Sequence, residues 1–142
     1  LRRNSMRNWI LICLCLCLTM GIASTGCNKE KIAVATFEGV GQVLIEFKSE
    51  VEAKHISGEI STELYVKSKL AYNTARGFIF LAGDTLISAI QEEDAINRQV
   101  LISESLWDLN EAKNLILEIL NLLDSNGIKL EKASNLSEKL KS

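Results

Sequence analysis

No proline occurs anywhere in the 142 residues. Proline breaks helix interiors because it lacks an N–H and clashes with the preceding turn, so its absence leaves long uninterrupted helices open to the chain. Aromatic residues make up only 6%, which again fits a helical fold better than a loop-rich one. Histidine occurs once, at His55. A zinc site or a Ser-His-Asp site would have to use it, and no ligand spacing or nucleophile-elbow motif accompanies it. The expectation for His55 is an exposed residue in a turn. Cysteine is less plentiful than its count of four suggests. Cys13, Cys15 and Cys17 alternate with leucine inside one apolar run, and only Cys27 lies beyond it. A domain following Cys27 has no second cysteine for an internal disulfide, so its stability must come from packing.

Charge of one sign is missing from the first segment. Arg2, Arg3 and Arg7 precede Cys27 and none of the 18 acids does, which leaves 13 basic against 18 acidic residues in the remainder, a net −5. Binding along a phosphate backbone requires a basic face, so nucleic acid is not an expected partner. A long hydrophobic stretch is also lacking. The run from Trp9 to Met20 has 12 residues, whereas a bilayer-spanning helix needs about 20.

What is present at the N-terminus has the three-part plan of a secretory signal: Arg7 after Met6, the apolar run, then Gly21, Ala23, Ser24, Thr25 and Gly26. Met6 is a candidate true start. Ser24-Thr25-Gly26-Cys27 resembles the lipobox of bacterial lipoproteins, with Ser24 standing where leucine is commonest. The resemblance extends over the first 27 residues only. It implies that the Cys27 thiol receives a diacylglycerol, that a peptidase removes residues 1–26, and that the protein is held to a membrane without spanning it. Asn28 after the cysteine, where aspartate is the common inner-membrane retention signal, resembles outer-membrane sorting to the periplasmic side in a host with two membranes. Two plainer readings stay open. Cys27 is then an ordinary thiol behind a conventional cleavage site after Ala23, or residues 9–26 are an uncleaved anchor.

Beyond Cys27 the periodicity predicts an all-α domain over 27–128, an antiparallel three-helix bundle or an elongated array of helical hairpins. The first helix is expected over 29–54, on a stripe of Ala33, Phe37, Val40, Leu44, Phe47 and Val51 at steps of 4 and 3. Glu50 and Lys54 have the favourable i, i+4 order. A hairpin over 32–47, turning at Gly39-Val40-Gly41, is the competing reading. Gly58 suits a left-handed helix end and Ser61 an N-cap, with Ile60 and Tyr65 as a hydrophobic staple. The second helix is expected over 61–91, on Leu64, Ala71, Ala75, Phe78, Ala82 and Ala89. The third spans 94–125, on Ile102, Leu106, Leu109, Ile116, Leu120 and Leu123, with Asp94 as N-cap and Gly127 closing a Schellman turn with Ile128. Residues 129–142 form a polar, lysine-rich tail or a weak last helix.

Chemistry is sparse in this part. Gly39-Val40-Gly41 lacks the Gly-Lys-Ser/Thr ending of a phosphate loop. Glu92-Glu93-Asp94 lacks the spacing of a calcium loop and reads as a solvated helix end. The segment GFIFLAG, 77–83, is apolar all round and calls for burial on more than one side. Arg76 just before it, with Phe78 and Phe80, marks a candidate interface. No cofactor or metal is expected. The functional expectation is a non-enzymatic envelope lipoprotein acting as a tethered interaction module, with a protein partner or self-association, of a kind that would serve phage or plasmid exclusion. The alternatives are a periplasmic binder or inhibitor of a soluble enzyme, and a small hydrolase whose acids meet from distant positions.

Overall fold

The computed structural model describes residues 28–141, so the expected signal segment and Cys27 lie outside the described residues. The chain is all-α. Helix α1 runs Asn28–Ile56, α2 Thr62–Gln91, α3 Ala95–Ser125 and α4 Glu131–Lys141. The stretch 32–47 is continuous helix and the hairpin alternative is set aside. All six residues of its stripe, from Ala33 to Val51, are buried. Among the described residues no helix is long and apolar enough to cross a membrane.

Local sequence sets the turns. Gly58 and Gly127 have φ of 82° and 76°, the left-handed region in which a side chain is strained. Each closes a Schellman motif. The Glu59 N–H reaches the Lys54 carbonyl at 2.9 Å, and the Gly58 N–H the His55 carbonyl at 3.1 Å. After α3 the Ile128 N–H bonds the Leu123 carbonyl at 2.9 Å, and the Gly127 N–H the Asp124 carbonyl at 3.0 Å. Ser61 Oγ caps α2 by accepting from the Leu64 N–H at 3.3 Å. Asp94 Oδ1 caps α3 by accepting from the Asn97 N–H at 2.9 Å.

These turns make neighbours antiparallel. Phe37 of α1 meets Gly83 late in α2, and Phe78 of α2 meets Trp107 of α3 at matching distances from the intervening turn. The α2/α3 contact is the most extensive. It follows that α1 and α3 run parallel, with both N-termini at one end of the bundle. The core gathers Phe37, Phe47, Ile79, Leu86, Ile102, Leu109 and Leu123, all nearly inaccessible to solvent.

The tail is the main addition to the expected three helices. Residues 131–141 fold as α4 and pack antiparallel on α1, with Leu130 and Ala133 buried. The residue before α4 is Leu130, whose side chain has no oxygen to cap a helix. Glu50 of α1 supplies the cap instead. Its Oε1 accepts from the Lys132 N–H at 2.8 Å and its Oε2 from the Ala133 N–H at 3.1 Å. A carboxylate there also meets the positive end of the helix dipole. The expected Glu50–Lys54 pair is therefore not made. Lys54 bonds Glu59 Oε2 at 2.7 Å across the turn, because Glu50 already serves α4.

Glu50→Ala is expected to lower stability by about 1 kcal/mol, the usual worth of a capping side chain. The loss should concentrate in α4. Hydrogen exchange checks this: amides of α4 should exchange faster in the variant, while those of α2 and α3 stay protected.

Candidate interaction surface

Few polar side chains in the described residues converge, and the most prominent surface feature is apolar. Asp94 caps α3, and the Arg98 Nε and Nη2 donate to the Glu92 carbonyl at 3.0 and 2.6 Å. Together these fix the turn from α2 to α3. The Glu92 carboxylate accepts from the Asp94 N–H at 3.1 Å. The acidic cluster thus serves the helix end, and no metal-binding group of three or more His, Cys, Asp or Glu is assembled among the described residues.

The first half of α3 then presents Ile96, Val100 and Trp107 outward, opposite the buried stripe of Ile102, Ser105 and Leu109. Ile96 is 76% exposed and Trp107 60%. They line an open groove of about 720 Å³, with Lys29 of α1 and Glu104 among its polar members. The Phe78 ring meets Trp107 edge-on, with centroids 6.3 Å apart, a favourable aromatic arrangement. Beside the groove, burial pushes the Asp108 carboxyl above the usual aspartate range, and the Glu104 carboxylate one turn earlier adds to the rise.

That rise has a pH consequence. A carboxyl whose folded pKa is raised binds its proton more tightly in the folded chain, so stability falls as pH rises through the carboxylate range. Asp108→Asn removes this penalty. The variant should melt higher than the parent at pH 7 and match it near pH 3, where both forms are neutral. Thermal melts at the two pH values check it.

The expected interface residues do not form one patch. Phe78 lies on the α3 flank of α2, against Trp107. Phe80 lies on the other flank, 37% exposed, with the Arg76 guanidinium 5.0 Å from its ring centre. The apolar segment 77–83 is not covered on every side: Ile79 and Ala82 are buried, whereas Leu81 points outward. With Val66 and Leu70 it shares the outward face of α2, since residues 66, 70 and 81 fall within about 60° of one another at 100° per residue, with Asn73, Thr74 and Gly77 exposed between Leu70 and Leu81. Gly39 and Gly41 lie inside α1, where Gly39 gives room to Leu140 of α4.

His55 is not an exposed turn residue. It ends α1 half-buried and stacks on Tyr65, with ring centroids 3.9 Å apart and planes 8° from parallel. The stack joins the ends of two helices and gives the only histidine a packing role.

Sequence reasoning missed the groove. Its signal was there as Ile96, Val100 and Trp107, spaced 4 and 7 residues and out of phase with the buried stripe. Comparison with protein-family models, curated proteins and solved structures found no match.

Proposed function

We propose that the chain is the precursor of a lipid-anchored envelope protein whose helical bundle is a non-enzymatic interaction module. One juxtaposition carries this reading. The lipobox-like Ser24-Thr25-Gly26-Cys27 is followed at once by residues that are helical from Asn28, the first described position. A lipidated Cys27 would hold the bundle at the membrane surface with almost no intervening linker. Two or three acyl chains make a stable anchor without a spanning helix. The outward face of α2 with Val66, Leu70 and Leu81, flanked by Arg76 and Phe80, is the one offered to a protein partner or a second copy. Asn28 directs the protein to the outer membrane in a host with two membranes.

Metabolic labelling of cells expressing the full chain with an alkyne-bearing fatty acid tests the proposal. Label should appear on the protein in the membrane fraction and survive neutral hydroxylamine, which cleaves thioesters but leaves an N-terminal amide and the oxygen esters of the glycerol. A protein recovered without label from the soluble fraction would overturn it.

A further inference from the structure

The groove on α3 opens at the end of the bundle where the anchor would be attached. Lys29, which lines it, is two residues from Cys27. Because the chain is helical from Asn28, the first described residue, a lipid on Cys27 would keep this end close to the bilayer. The N-terminus of α3 sits at the same end, and the groove runs from there along Ala95 to Trp107, about 18 Å at 1.5 Å per residue. Its chemistry is that of a membrane interface. Ile96 and Val100 are aliphatic and exposed, Trp107 is an aromatic with a polar N–H, Lys29 is a long stem with a charged head, and Gln99, Ser103 and Glu104 are the other polar members. Tryptophan is enriched at the headgroup level and lysine snorkels there. Exposed Ile32 lies in the first turns of α1, near the same end. The ionic groups of the groove, Lys29 and Glu104, are of opposite sign, so no anionic lipid is needed.

We propose that this groove lies against the bilayer, with Ile96, Val100 and Trp107 at the boundary between headgroups and acyl chains. The proposal rests on the lipid-anchor reading and deepens it, since it fixes which face of the tethered bundle meets lipid. The outward α2 face is then left for a protein partner.

The test uses the full chain carrying Trp9→Phe, so that Trp107 is the single tryptophan whether or not the leader is removed. The protein is taken from membranes in detergent, its lipid on Cys27 is read by mass, and it is reconstituted into phosphatidylcholine vesicles with brominated acyl chains. Trp107 emission should shift to the blue and be roughly halved by bromines about 5–10 Å below the headgroups. Adding Ile96→Glu and Val100→Glu, both at exposed positions, should abolish the quenching while the protein still floats with the vesicles. Unquenched emission from lipidated, vesicle-bound protein overturns the proposal and leaves the anchor intact. A Cys27 without lipid defeats the anchor reading, and the same emission then decides the groove: quenching by vesicles upholds it and none refutes it.

Discussion

Phe37→Ala should destabilise the bundle by about 3–5 kcal/mol, the range for a large buried ring replaced by a methyl group. Phe37 is 1% exposed. Its ring lies where α1 crosses the last third of α2, over the backbone of Gly83. A Cβ on residue 83 would sit 3.1 Å from Phe37 Cε2 and 3.3 Å from Cζ, tighter than ordinary contact. Glycine thus lets α1 approach with a full phenyl ring between the helices. Removing the ring leaves a void that Gly83, with no side chain, cannot fill. Gly83→Ala alone should also destabilise, because the ring must give way. In the Phe37→Ala background the same change should be less harmful, since the added methyl enters the void. Urea unfolding of the four proteins gives the coupling directly. A loss below 1 kcal/mol for Phe37→Ala would remove the ring from the core and the α1/α2 crossing with it.

Cys27→Ser should have the largest effect on location. The proposed anchor needs a thiol, because a hydroxyl is not converted to the thioether. Each buried methylene of an acyl chain is worth about 0.8 kcal/mol of membrane binding, so losing two chains moves the partition by many orders of magnitude. Wild-type protein should enter the detergent phase and stay with membranes through high salt. The variant should accumulate as an uncut precursor or appear in the soluble fraction. Substitutions in the bundle, such as Glu50→Ala, should leave partitioning unchanged. A Cys27→Ser protein that partitions as the parent does would dispose of the anchor.

Features determined within a few residues were legible in the sequence. The α1 stripe at steps of 4 and 3 is buried throughout, Ser61 and Asp94 cap the helices after them, and Gly58 and Gly127 adopt positive φ. Each follows from periodicity or from a backbone conformation that few residues tolerate. Contacts between distant residues were not legible. Glu50 caps α4 from 82 positions away, and no local signal distinguishes such an acid from one paired within its own helix. The tail read as a polar tail or a weak last helix, and the helix it forms is held by Leu130, Ala133 and Glu50 together. Ile79 and Leu86 on α2 are buried yet fell outside the expected stripe, because an apolar run all round a helix conceals which side faces inward. Phe80 and Leu81 show the converse, as the same run left them at the surface. The groove was hidden for a related reason. Ile96, Val100 and Trp107 form a second stripe on α3, out of phase with the longer buried one.

On the proposed reading Cys27 carries the lipid by which the bundle is held. The most direct measurement is the intact mass of the protein extracted from membranes, with fragmentation of its N-terminal peptide. The expected protein begins at Cys27, with a diacylglycerol on the sulfur and a third acyl chain on the amine where the host adds one. A membrane-derived protein that retains residues 9–26, or one whose Cys27 bears an unmodified thiol, would contradict it.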